Sequence, residues 1–192
     1  RDSATQMQTY SMALKSTIYK FAIDLSNISE SFYTSLDLTI ACHPSETAER
    51  MMVRLLAYCL NAHSNPEFTR GLSSTDEPDL WCKSLDGQIE QWFEVGEPAF
   101  DRVKKATQLS QAVSVYCFNR KADVWWQQGS AAFLKLSAQY FRFDNEEVVS
   151  LASKIARTQQ LSISIDAGLI YVAMEAGNCE LSLRLLDTES FA

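Results

Sequence analysis

Asp79 and Glu94 stand on either side of an Asp86-Gly87 pair, and no other spacing in the sequence suggests chemistry as directly. If Asp86-Gly87 forms a two-residue type I′ turn, the hairpin pairs Leu85 with Gln88, Lys83 with Glu90, Trp81 with Trp92 and Asp79 with Glu94. The two carboxylates then share one sheet face, with Cβ atoms about 5 Å apart. Like charges placed directly opposite repel unless a proton, a basic side chain or a divalent cation compensates them. Mg²⁺ takes oxygen ligands, often one or two carboxylates with waters and phosphate oxygens completing the shell. A facing Asp/Glu pair beside an acid from a helix meets that demand. The plainer reading is a solvated acidic hairpin. Asp76, Glu77, Asp79, Asp86, Glu90, Glu94, Glu97 and Asp101 crowd this stretch against one base, Lys83, so some acids face one another by chance. Lys83–Glu90 and Trp81–Trp92 read as structural cross-strand pairs.

The elements that must position these acids follow from hydrophobic period. Thr17, Tyr19, Phe21, Ile23 and Leu25 alternate with polar or small residues, as do Leu36, Leu38, Ile40 and Cys42, which gives two strands joined as a hairpin through the polar stretch Ser26–Ser31. Residues 43–62 form a helix. Pro44 and Ser45 suit its start, Glu46 and Glu49 suit its first turns, and Met52, Val53, Leu56, Cys59 and Leu60 form its buried stripe. Residues 63–78 read as loop and 78–98 as the hairpin. The run 101–112 is a helix with Val103, Ala106, Ser110 and Val113 near one face. Strands follow at Val113–Phe118 and Phe133–Phe143. Asp144 and Glu147 make a capping box before Val148, Leu151, Ala152 and Ile155. Three last strands centre on Ile163, Tyr171 and Leu183, with turns at Asp166–Gly168 and Gly177–Asn178. The order is ββαββαβ with further strands and one helix, an α+β pattern. Residues 1–11 carry no period and read as an upstream extension or cloning remnant, leaving 12–192 as one domain.

Composition narrows the function classes. The chain has 192 residues, 46% hydrophobic and 21% charged, with a net charge of -7. Such an acidic protein is a poor candidate for coating long stretches of DNA. No apolar run approaches the roughly 18 residues of a membrane span. Residues 1–11 also lack the apolar core of a secretory signal. Cys42, Cys59, Cys82, Cys117 and Cys179 are scattered and form no CxxC, and His43 and His63 are the only histidines, which disfavours a zinc site and a Ser-His or Cys-His hydrolase. Buried free thiols in a reducing cytoplasm are the expectation. His43 reads as a packed or capping histidine. Arg102, Lys104, Lys105, Arg120 and Lys121 make a local basic patch that can meet phosphates, although a solvated helix face and a basic turn is the commoner explanation. Trp125 and Trp126 are offered either to bases or, more often for such residues, to a core.

The segments MALKSTIYKF, HPSETAERMMVRLLAY, FTRGL, DEPDLW, WFEVG, RVKKA and VWWQQ resemble the bacterial YaeQ family, from Met12 to the C-terminal strands. The resemblance implies a cytoplasmic protein built on a variation of the PD-(D/E)xK nuclease core. Its fold is then a restriction-endonuclease-like mixed sheet flanked by helices, with additional C-terminal antiparallel strands. In that pattern a helix Glu, an Asp on the first hairpin strand and an acid on the second bind Mg²⁺, and a lysine two residues further assists the attacking water. Pro78-Asp79 matches the PD element, Glu94 the second acid, and Glu49, or else Glu46, the helix acid. Gly96 stands where the lysine belongs, so the resemblance leaves Lys104 or Lys105 to send an ammonium into the site.

Two functions compete. One is a Mg²⁺-dependent nuclease or phosphodiesterase acting on nucleic acid, with Asp79, Glu94 and Glu49 as metal ligands and Lys104 or Lys105 assisting. The other is a catalytically degenerate nuclease-fold protein that binds or regulates a partner, as the missing lysine and the acidic charge suggest.

Overall fold

A computed structural model of the chain describes residues 14–188, so the expected extension at 1–11 lies outside the described residues. Two long strands open the fold. β1 (Thr17–Asn27) and β2 (Phe32–Cys42) pair antiparallel, Thr17 opposite Cys42 and Asn27 opposite Phe32. Their alternation buries Phe21, Ile23, Leu25, Leu38 and Ile40 on one face.

The next helix, α1 (Ala48–Leu60), starts later than its sequence suggests. Pro44 and Ser45 stay in a turn in which the Glu46 N–H donates to the His43 carbonyl at 2.8 Å. Thr47 is the true cap, its hydroxyl accepting the Arg50 N–H at 3.2 Å. Met51, Met52, Leu55, Leu56 and Cys59 are buried beneath the helix. The expected loop at 63–78 is largely that, with a short edge strand β3 (Glu67–Phe68) and a 3₁₀ turn at Gly71–Ser73.

The hairpin β4 (Leu80–Lys83) and β5 (Ile89–Val95) departs from the expected type I′ turn. Ser84 and Gln88 close a longer loop: the Ser84 N–H donates to the Gln88 carbonyl and the Gly87 N–H to the Ser84 carbonyl, both at 2.9 Å. Gly87 takes φ +85°, a conformation that favours glycine. A bulge between Cys82 and Lys83 then shifts the register back. The loop and the bulge cancel, so Trp81 faces Trp92 as expected and Leu80 faces Phe93. Lys83 faces Ile89 and not Glu90, which corrects the expected Lys83–Glu90 pair; its ammonium lies 3.7 Å from the centre of the Trp81 ring instead.

α2 (Phe100–Leu109) runs directly into β6 (Ser110–Cys117), so Ser110 and Val113 belong to the strand. The strand expected from Phe133 to Phe143 is also corrected. Phe133 ends a helix, α3 (Ala122–Phe133), and only β7 (Ala138–Phe143) is extended. Ala122, Trp126 and Phe133 are its buried stripe, at helical spacing, but Gly129-Ser130 between them obscures the period. A Cβ at residue 129 would collide with the Phe133 ring, so glycine allows that ring to lie back along the helix. Asp144 caps α4 (Asn145–Ala152), accepting the Glu147 N–H at 3.1 Å. Glu147 does not complete a capping box; it accepts the Ser182 N–H at 2.7 Å.

β8 (Thr158–Asp166), β9 (Leu169–Met174) and β10 (Gly177–Leu186) form an antiparallel meander. Its first turn, with φ 48° at Ala167 and 80° at Gly168, has the double positive φ of a type I′ turn. The second turn falls at residues 175–176, just before the expected Gly177–Asn178. The ten strands among the described residues make one mixed sheet in the order β2-β1-β8-β9-β10-β7-β6-β5-β4-β3. β1–β8, β5–β6 and β6–β7 are parallel. β10 joins the halves, pairing with β9 through residues 177–182 and with β7 through 183–186. The expected mixed sheet with flanking helices and C-terminal antiparallel strands is what the chain forms.

Two cores result. α1 and α4 cover one face over Leu80, Phe93, Val95, Phe143 and Ile163. α2 and α3 cover the other over Trp92, Val103, Val115, Trp126 and Tyr140. Along β5 the side chains alternate between them, and this places Glu94 on the side of Trp92.

Candidate functional site

The C-terminal ends of β5 and β6 carry the charged centre of the molecule. The restored hairpin register brings Asp79 and Glu94 into one cleft of about 350 Å³, which Arg50, Gly96 and Arg102 also line. Both acids are buried, at 2% and 3% exposure. Asp79 precedes β4, and its N–H donates to the Phe93 carbonyl at 3.0 Å. Its Oδ2 accepts the Val95 N–H at 2.8 Å, and its Oδ1 lies 2.7 Å from Arg50 Nη2. Glu94 Oε1 accepts the Trp92 indole N–H at 2.8 Å and lies 2.9 Å from Arg102 Nη2.

The compensator is therefore arginine. Glu46 extends the same arrangement: its Oε1 lies 3.0 Å from Arg50 Nη1, and its Oε2 lies 2.7 Å from Arg54 Nη2. Glu46, Asp79 and Glu94 face Arg50, Arg54 and Arg102, so carboxylates and guanidiniums balance. Such pairs are weak net contributors to stability while intact, but removing one partner strands a buried charge. Burial pushes the Glu94 carboxyl above its ordinary value and the Asp79 charge adds to this, against Arg102 and Trp92. Burial alone lowers the Arg50 pKa, yet Asp79 and Glu46 outweigh it and raise it overall. Arg102 also donates to the carbonyls of Thr75 (2.8 Å) and Glu77 (2.9 Å), which ties the loop before β4 to the cleft.

The remaining expected site residues lie elsewhere. Glu49 does not line the cleft of the acid pair; it lines a second, larger cleft of about 660 Å³. Lys105 is exposed and pairs with Asp76 at 3.0 Å. Lys104, on the same helix, is exposed as well and lines neither cleft. The reason is the phase of α2. Val103 and Ala106 face the core, Arg102 flanks them toward Glu94, and the two lysines fall on the solvent side. The basic patch divides accordingly, with Arg102 spent on Glu94 and Arg120 and Lys121 in the second cleft. His43 serves its turn, its Nδ1 accepting the Ser45 N–H at 3.0 Å. All five cysteines are free thiols.

The arginine partners are what sequence reasoning missed. Glu46, Arg50 and Arg54 recur at four-residue intervals, a helical charge ladder visible in the sequence. Arg102 carried no such signal, because its reach depends on the turn between β5 and α2.

The oxygens that a divalent cation would need at the acid pair are largely taken. Asp79 has one oxygen on a guanidinium and the other on a backbone N–H, and Glu94 Oε1 takes an indole and a guanidinium. The third acid is in the other cleft, and among the described residues no group of three His, Cys, Asp or Glu converges as a metal site. The residues present do not fit Mg²⁺.

The second cleft opens across the same strand ends, where ligands gather in sheets with parallel strands. Glu97 and Asn119 form the wall between the two clefts. Glu97 is occupied, accepting the Asn119 N–H at 2.7 Å and its side-chain amide at 2.6 Å. Trp125 is held by its indole N–H on the Pro98 carbonyl at 3.0 Å.

Fold and site together define an α+β protein with a mixed ten-stranded sheet and a buried acid pair neutralised by arginines. The model of the family described as YaeQ protein matches residues 12–183, and the chain belongs to the YaeQ family. It is 38% identical to the Escherichia coli (strain K12) protein named "Uncharacterized protein YaeQ", over 90% of this chain and 96% of that one. The Salmonella typhi protein of the same name is 39% identical over the same shares. The crystal structure of YaeQ protein from Pseudomonas syringae superposes with a TM-score of 0.85 at 35% identity, covering 91% of this chain and 98% of that one. The YaeQ crystal structure from Xanthomonas axonopodis pv. citri gives 0.85 at 31% identity, covering 88% and 97%.

Proposed function

We propose that this YaeQ-family chain uses a nuclease-type core as a binding or regulatory module and does not cleave phosphodiesters. One observation carries the reading: each acid of the pair already holds a guanidinium, at 2.7 Å for Asp79 and 2.9 Å for Glu94. A cation taking Asp79 Oδ1 and Glu94 Oε1 would have to displace both arginines from buried carboxylates, and among the described residues no lysine lines the cleft to assist a water. The nuclease-type core itself is supported by the succession of α1, the β4–β5 hairpin, α2 and β6.

The competing reading is a Mg²⁺-dependent nuclease or phosphodiesterase, and it draws on the convergence of Asp79 and Glu94 in one cleft. An assay of the pure protein with Mg²⁺ or Mn²⁺ against single-stranded, duplex and structured DNA and RNA separates them. No cleavage is expected. Cleavage that disappears in Asp79→Ala would overturn the proposal.

A further inference from the structure

The cleft between α1, α4 and the β6–α3 loop keeps its interaction capacity unspent, in contrast to the acid centre beside it. Among the described residues the exposed Lys121 side chain has no partner, and Arg120 makes only a long 3.4 Å contact to the Asn145 side chain. On the α1 side, the half-buried Glu49 carboxylate has no hydrogen bond or ion pair among the described residues. Trp125 lines the same cleft, its N–H already used and its half-buried ring packed against Phe133 and Trp126. Two cations on one loop suit a dianionic group, which a phosphomonoester supplies. An aromatic face suits a planar ring. An unpartnered carboxylate only accepts, and it suits a ring edge that presents N–H donors. The volume, about 660 Å³, is that of a small-molecule site.

From this juxtaposition we propose that the cleft binds a nucleoside 5′-phosphate, with the phosphate on Arg120 and Lys121, the base against Trp125 and the base edge on Glu49. It rests on the reading of the chain as a binding module and names what that module takes. A carboxylate accepts two parallel N–H bonds from guanine, one from the amines of adenine and cytosine, and one from the uracil ring. GMP therefore binds first, and UMP, whose single N–H lies between two carbonyls that repel a carboxylate, binds last. The phosphate can be that of a free nucleotide or of a strand's 5′ end, since both carry the same phosphomonoester.

The full-length protein is titrated with GMP, AMP, CMP, UMP and inorganic phosphate, followed by tryptophan fluorescence and calorimetry. Saturable binding is expected, strongest for GMP, with Arg120→Ala/Lys121→Ala weakening it by about tenfold or more. Glu49→Gln is expected to reduce the preference for GMP over UMP while phosphate recognition stays. These residues are exposed or half-exposed, and thermal unfolding of the variants serves as the check on folding. A 5′-phosphorylated oligonucleotide that outbinds GMP, and loses that advantage as its 5′-hydroxyl form, assigns the strand end; no advantage assigns the free nucleotide. No saturable binding by any of these probes, or binding unchanged in the Arg120/Lys121 double variant, would overturn the proposal. Recovering the nucleotide or oligonucleotide afterwards keeps the two claims separate. Mg²⁺-dependent breakdown contradicts the binding-module reading, whereas absent binding with intact probes contradicts this site alone.

Discussion

Two clefts meet at the ends of β5 and β6, share Glu97 and Asn119 as a wall, and use charge in opposite ways. In the smaller one, Asp79 and Glu94 are buried, and Arg50 and Arg102 answer their two charges from within the chain. In the larger one, Glu49 and Lys121 are unanswered among the described residues, and Arg120 is barely engaged. The difference teaches that buried acids at a sheet end do not by themselves make a metal site. What matters is whether the fold has already supplied their counter-charge. Desolvation makes that supply obligatory in the first cleft, and solvent makes it unnecessary in the second.

Mutations should separate the two clefts by stability, and the largest effect belongs to the arginines. Arg50→Ala leaves Asp79 without its cation and Glu46 with one fewer, and a loss of about 3–5 kcal/mol is expected in urea unfolding. Lys121→Ala in the other cleft should fall within about 0.5 kcal/mol of the parent. Equal effects at the two positions would erase the contrast.

A second, smaller effect reads pH. The folded chain holds the Glu94 proton more tightly than the unfolded chain, because burial and Asp79 raise its pKa. Ionised Glu94 therefore costs stability: nothing is lost well below the ordinary value of 4.5, and the full cost is present above the raised folded value. Glu94→Gln removes that titration, so its stability relative to the parent should rise as pH climbs through this window. Asp123 provides the opposite sign. The hydrogen bond from Arg142 lowers its pKa, so its contribution is present above the ordinary value and lost as pH falls through the lowered one. Asp123→Asn should therefore lose ground to the parent at neutral pH and regain it in acid. Unfolding curves measured across pH 3–8 (about the range where carboxylates titrate) check both signs.

The smallest effect concerns the lysines. Lys105 and Asp76 form an exposed pair, with side chains 56% and 81% accessible, and Lys105→Ala should change stability by about 1 kcal/mol or less. Neither Lys104→Ala nor Lys105→Ala should alter ligand affinity in either cleft.

Much of this was legible in the residues. Period-2 alternation marked β1, β2 and the terminal meander, and the stripe from Met52 to Leu60 marked α1. The Trp81–Trp92 register was reached through a turn the chain does not make, since the longer loop at Leu85–Gly87 and the bulge at Lys83 offset one another. α3 was missed because Gly129-Ser130 interrupts its stripe, and the reason for that glycine, the Phe133 ring lying over it, is tertiary. The acid pair was visible as a pair. Its partners were not, because Arg50 approaches across 29 residues of chain and Arg102 from a helix whose phase only the packing of Val103 and Ala106 sets.

Arginine, and not a divalent cation, balances Asp79 and Glu94. Calorimetric titration of the pure protein with Mg²⁺ and then Mn²⁺, run in parallel on Glu94→Gln, tests it most directly. No saturable heat is expected from either protein at millimolar metal. Stoichiometric binding to the parent that vanishes in Glu94→Gln would contradict it.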